Sequence, residues 1–160
     1  MEHVSHDQIP PFFDSNSKIL ILGSMPSRKS REAKFYYMHP QNRFWKILEN
    51  VFEEKIINKK AFLKKHHIAL WDTISSCDIK GASDASIKNV VPNDITSLLA
   101  KTQIKVIFTA GKTAEKYYQK YTYPKTKRNT ICLPSTSPAN CRITMEEICE
   151  SWKQIREYTK

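Results

Sequence analysis

Glycine is scarce in this sequence, with three among 160 residues: Gly23, Gly81 and Gly111. A loop that cradles phosphates on its backbone amides needs several glycines at set spacing, so a nucleotide-binding α/β domain is a poor reading. Cysteine is confined to Cys77, Cys132, Cys141 and Cys149, with no C-x-x-C pair. That spacing argues against a metal or iron–sulfur site, and the thiols are expected to be structural, in or near the core, in a reducing cytoplasm. His3, His6, His39, His66 and His67 likewise form no ligand set with metal spacing. Neither metal nor cofactor is expected. No apolar run approaches the ~18 residues of a membrane span, and Met1 to Asn16 lack a basic-then-apolar signal pattern. The expectation is a cytoplasmic protein without membrane contact, a monomer with a single domain over residues 1–160.

Acidic residues are also in deficit. Against 16 Asp+Glu stand 26 Lys+Arg, a formal charge of +10, which favours a polyanionic partner, nucleic acid first. Lys125, Lys127 and Arg128 make a small basic cluster, read as a solvated loop in preference to a phosphate contact.

Four short apolar runs read as buried strands: Lys18 to Leu22, His67 to Trp71, Ile104 to Thr109 and Thr130 to Leu133. Between them run helical patterns. Phe44, Leu48, Val51 and Phe52 fall on one face; so do Ile95, Leu98 and Leu99, and then Ala114, Tyr117, Tyr118 and Tyr121. Thr144 and Glu147 fit a capping box at the start of a last helix whose stripe is Ile148, Trp152 and Ile155. Strands alternating with helices predict an α/β fold, a three-layer α/β/α sandwich with a central four-stranded parallel sheet. In such sheets ligands bind beyond the carboxyl ends of the strands. Gly23-Ser24, Asp72-Thr73, Ala110-Gly111 and Ser135-Thr136 are therefore expected to share one edge, the candidate active site.

Three segments near that edge carry chemistry. Gly23-Ser24-Met25-Pro26 leaves the first strand, where a glycine permits a tight turn and close approach of a ligand to backbone. Phe35 to Trp45 clusters aromatic, imidazole and amide groups that stack on bases and read their edges. Within it Phe44 and Trp45 read as helix core, whereas Tyr36 and Tyr37 fall in a loop. Leu133-Pro134-Ser135-Thr136-Ser137-Pro138-Ala139-Asn140 leaves the last strand as a stiff loop of small residues, able to lie close against a nucleic-acid strand.

Together these segments resemble the uracil-DNA glycosylase superfamily. A strand-end Gly-x-x-Pro precedes an aromatic-x-His-Pro-x-Asn-x-Phe-Trp helix start, and the Leu-Pro-Ser-Thr-Ser-Pro-Ala-Asn stretch resembles the closing DNA-grip motif. The intervening Leu-Trp-Asp-Thr-Ile-Ser-Ser-Cys and Pro-Asn-Asp-Ile segments are similar to the hypoxanthine-DNA (deoxyinosine) glycosylase branch.

The resemblance implies base excision repair of damaged DNA, in which the target nucleotide is rotated out of the duplex into a pocket. It makes Asn42 the principal catalytic amide and Tyr37 the ring on which the extruded base stacks. Backbone around Gly23, Ser24 and Met25 would bind the base. Ser135, Thr136, Ser137, Pro138, Ala139 and Asn140 would press on the DNA. His39 either donates to base or phosphate, or locks its loop by bonding backbone. No carboxylate is obvious for the reaction. The chain departs from mismatch-specific uracil glycosylases at Met25, where they carry a catalytic Asn, and from other uracil-specific relatives in lacking a closing-loop His. It departs from the hypoxanthine branch at Ala110, where Asn is usual. Uracil or xanthine as substrate, and lesion binding without cleavage, are the alternatives.

Overall fold

A computed structural model describes residues 1–5 and 9–160. His6 therefore lies outside the described residues. The four expected strands are present as β2 (Ile19–Gly23), β3 (Ile68–Asp72), β6 (Val106–Ala110) and β7 (Thr130–Leu133), all parallel, in the order β3-β2-β6-β7. Side chains alternate across a strand, so Ile19 and Ile21 face one layer of helices while Leu20 and Leu22 face the other.

The first layer holds α2 (Phe44–Phe52), α3 (Lys59–Lys65), α7 (Met145–Trp152) and α8 (Ile155–Thr159), packed through Phe44, Leu48, Leu63, Ile148, Trp152 and Ile155. The second is built on α4 (Ile95–Ala100), with Ile95 and Leu98, together with Tyr118. The three-layer sandwich is thus as expected. Thr144 caps α7 by the predicted capping box, in which Glu147 N–H donates to Thr144 Oγ1 and Thr144 N–H donates to Glu147 Oε1, both at 3.1 Å.

Several expectations need correction. The last helix is two, α7 and α8, because the chain tightens at Lys153 and Gln154, yet Trp152 and Ile155 both remain buried. Ala114 to Tyr121 do not form one face. The helix α5 (Lys112–Tyr117) passes into a π-helical turn over Tyr118–Thr122, whose wider winding rotates the later residues, and then into the short α6 (Tyr123–Thr126). Tyr118 then joins the central core and donates to the Arg128 carbonyl at 2.6 Å, while Tyr117 and Tyr121 stack elsewhere. Arg128 is itself structural, donating to the Ile104 carbonyl at 2.9 Å, whereas Lys125 and Lys127 are exposed. Cys77 and Cys149 are buried, but Cys132 and Cys141 are exposed.

A second sheet was not anticipated. β1 (Glu2–Ser5), β4 (Ile74–Ile79) and β5 (Lys88–Pro92) pair antiparallel in the order β1-β4-β5. Its small core of Val4, Ile74, Cys77, Ile79, Ile87 and Tyr117 sits beside the strand-end edge, since β4 begins two residues after β3 ends. No described helix is long and apolar enough to cross a membrane.

Candidate active site

The four strand ends do meet. Gly23 lies opposite Asp72 in the parallel ladder, Thr73 N–H donates to the Gly23 carbonyl at 2.9 Å, and Gly111 N–H donates to the Leu133 carbonyl at 2.8 Å. A side chain at Gly23 would overlap the Asp72 carboxylate and come within 3.3 Å of the Tyr37 hydroxyl. The missing Cβ thus makes room for two polar groups of the protein itself. Asp72, expected at this edge but given no role there, is a buried carboxylate, 3% exposed. Its signal was present in the polar Asp-Thr step ending an apolar strand. Gly111, with φ +103°, is held where a Cβ would lie 2.9 Å from that of Ser135, so the closing loop approaches β6 closely only over a glycine.

The aromatic segment follows α1 (Arg28–Ala33), whose Ser30 hydroxyl accepts from the Met38 amide at 2.9 Å and so ties helix to loop. Tyr36 is core, 2% exposed, with its hydroxyl donating to the Pro10 carbonyl at 2.9 Å. Tyr37 goes the other way because its backbone is left-handed, φ +55°, an uncommon and strained state for an aromatic residue. One face of its ring stacks on Phe44, centroids 3.8 Å and planes 10° apart, and the side chain keeps partial exposure. The hydroxyl end is buried and has no hydrogen-bond partner among the described residues. Burial, and then the charge of Asp72, hold the Tyr37 phenol well above its ordinary range, so it stays a protonated donor.

His39 locks its loop: its Nδ1 accepts from the Gln41 amide at 3.1 Å and its carbonyl accepts from the Asn42 amide at 2.9 Å. A neutral ring bonded this way carries its proton on Nε2. Asn42, at the mouth of α2, uses Oδ1 to accept from the Phe44 amide at 2.9 Å. Only the oxygen can accept there, so the side-chain NH2 is turned to the other side of the amide and remains a donor.

Met25 does not turn its side chain to this edge. It packs on the core of the small sheet, where the Cys77 thiol donates to its sulfur at 3.4 Å, leaving only its backbone beside Ser24. The Ser24 carbonyl is taken by the Ile74 amide at 3.0 Å.

The closing loop is internally braced. Ser135 and Ser137 hydroxyls accept from the backbone amides of Ser137 and Ala139, each at 3.2 Å, and the Asn140 side-chain NH2 donates to the Ser135 carbonyl at 2.9 Å. Thr136 is 2% exposed and anchors the loop inward, whereas Ala139 is at the surface. The clamp between the two motifs is Arg43, a residue sequence reasoning passed over. Its amide donates to the Thr136 carbonyl at 3.2 Å, and its guanidinium donates to the carbonyls of Ile143 and Asn140 at 2.7 and 2.8 Å. The neighbour of Asn42 thereby holds the opposite loop.

Comparison with known proteins agrees with this geometry. Residues 10–158 match the family model described as the uracil DNA glycosylase superfamily. A protein of Methanosarcina acetivorans named hypoxanthine DNA glycosylase is 31% identical over 155 residues, covering 91% of this chain and 94% of the relative. A protein of Methanosarcina barkeri with the same name is 34% identical over 113 residues, 66% of this chain and 72% of the relative. A solution structure from Methanosarcina acetivorans, described as a candidate uracil DNA glycosylase, superposes with a TM-score of 0.81 at 29% identity, covering 94% of this chain and 96% of its own. With its motifs assembled at one strand edge and almost its whole length matched, the chain belongs to the uracil DNA glycosylase superfamily.

Proposed function

We propose that this protein is a monofunctional DNA glycosylase of base excision repair that releases deaminated bases, hypoxanthine foremost, acting as a cytoplasmic monomer with one domain and no cofactor. The observation that carries the reading is the convergence at the strand edge of Tyr37 and Asn42, both set against Phe44, with the closing loop that Arg43 clamps to the same helix start. The two relatives named for hypoxanthine support the choice of base.

In this mechanism the extruded hypoxanthine stacks on the face of Tyr37 away from Phe44. Water forms a bond to C1′ of the sugar as the C1′–N9 bond breaks, the electron pair leaves with the purine, and a proton from the water neutralises it. Negative charge develops on the base, and the Asn42 NH2, oriented because Oδ1 is held by Phe44, donates to it. The Ser24 and Met25 backbone lies alongside the base. Ser137, Pro138, Ala139 and Asn140 hold the duplex open, with Ser135 and Thr136 as the loop's internal supports. His39 offers its Nε2–H to DNA while Nδ1 keeps the loop in shape. Uracil is disfavoured, since Met25 replaces an amide and turns toward the small sheet.

Single-turnover release from duplexes carrying hypoxanthine, uracil or xanthine tests the reading, comparing wild type with Asn42→Asp. Aspartate still accepts from the Phe44 amide but offers no NH2, so folding is retained while release falls about 10²–10³-fold, the usual consequence of losing one transition-state donor. Preference for another base moves the substrate and keeps the enzyme. Binding without release from any duplex overturns the enzyme.

A further inference from the structure

A patch of rings and lysines adjoins the candidate site and takes no part in the roles assigned above. Phe35 and Trp45 stack with centroids 5.9 Å and planes 14° apart. Trp45 meets Phe44 edge-on at 4.9 Å, and Phe44 carries Tyr37 on its face, so two ring contacts join the patch to the base platform. Lys59 and Lys60, at the start of α3, lie over it: Lys59 Nζ is 5.5 Å from the Trp45 ring centroid and Lys60 Nζ is 5.6 Å from that of Phe35.

Among the described residues neither lysine is ion-paired, whereas Lys29, Lys65, Lys153 and Lys160 each meet a carboxylate. Ile57, just before them, is 94% exposed. A lysine whose ammonium is held over a ring face has surrendered rotamer freedom before any ligand arrives, and a cation–π contact leaves its outward N–H groups for an anion. Two such ammonium groups beside one exposed apolar side chain suit a polymer with regularly spaced phosphates and apolar sugar faces between them.

We infer that Lys59 and Lys60, set on the Phe35–Trp45 stack, form a second DNA grip that holds backbone phosphates flanking the extruded nucleotide, with Ile57 against the sugar. The inference rests on the glycosylase reading for its partner. It implies that binding is anchored at two places, the closing loop and this patch, with the base platform between them in the chain of contacts.

The test compares Lys59→Gln/Lys60→Gln with Lys101→Gln/Lys105→Gln, which removes the same charge beyond the opposite ends of the strands. Affinity for undamaged and hypoxanthine-containing duplexes is measured against salt. Each phosphate contact contributes about 0.9 to the slope of log K on log salt, so the first variant should lose about 1.8 on both duplexes and the control nothing. Lys59→Arg/Lys60→Arg, which keeps charge and ring contacts, should retain the wild-type slope and shows whether a loss comes from charge or from misfolding. A wild-type slope in the Gln pair, an equal loss in the control, or an equal loss in the Arg pair overturns the inference. Failure of the glycosylase reading shows separately, as absence of base release by the wild type whatever its salt slope.

Discussion

Replacing Arg43 by methionine would test whether the opening helix and the closing loop act as one unit. Methionine preserves a long stem and removes the two guanidinium bonds to the carbonyls of Ile143 and Asn140. Hydrogen bonds to a charged group contribute about 1.5–3 kcal/mol each, and water reaching the half-buried carbonyls returns part of that, so a net loss of about 2–4 kcal/mol follows. For a chain of 160 residues, at about 2–4 °C per kcal/mol, Tm should fall roughly 5–15 °C. The backbone bond from Arg43 N–H to the Thr136 carbonyl is kept, so the loop loosens but stays attached. Re-ordering even two loop residues on DNA costs about 2–4 kcal/mol, of which the looser free loop adds a part, weakening DNA binding about 10–100-fold. Arg43→Lys restores one bond at most, because a lysine cannot present the fork, and should fall between. The assays are thermal unfolding and equilibrium binding to a hypoxanthine duplex. A lowered Tm with unchanged DNA affinity would refute the coupling; an unchanged Tm would refute the energetic value of the clamp.

Tyr37→Phe removes a buried hydroxyl that lacks a partner among the described residues and should raise stability by about 1 kcal/mol while keeping base release. Tyr37→Ala should lose stacking of about 1–3 kcal/mol, read as a 5–150-fold drop in base release at limiting enzyme. Gly111→Ala combines φ +103° with a Cβ 2.9 Å from that of Ser135 and should lower stability by about 1–3 kcal/mol, measured by denaturant unfolding. Burial opposes ionisation of Glu115, but bonds from Thr109, Thr130 and Gln119 prevail and hold its carboxyl below the usual range. A depressed folded pKa gives stability that is present above the unfolded value near 4.5 and is lost as pH falls through the folded one. Glu115→Gln should therefore flatten the acid limb of a stability–pH curve below about pH 4.5, and an unchanged limb would exclude this carboxylate as its source.

The parallel strands were legible because strands covered on both faces read as continuous apolar runs. β4 and β5 were not, since Ile74–Ile79 alternates weakly and Lys88–Pro92 is mostly exposed; each becomes a strand only by pairing in the antiparallel sheet. Adjacent tyrosines of the same type were indistinguishable by pattern. A left-handed backbone at Tyr37 sends one ring onto Phe44 at the strand edge and leaves Tyr36 in the core.

What the sequence by itself determined was the set of local facts: the apolar runs, the capping box at Thr144, the motif around Asn42 and the closing loop, and from them the layer order and the edge where a ligand would sit. These depend on period and residue type within a few positions of one another. The Asp72 carboxylate in the space a Gly23 Cβ would fill, Arg43 across to Asn140, Met25 turned to the small sheet and the lysines over Phe35 and Trp45 were decided by tertiary structure alone. Each joins side chains brought together by strand register or by packing of separate helices, and contacts of that kind leave no periodic trace along the chain.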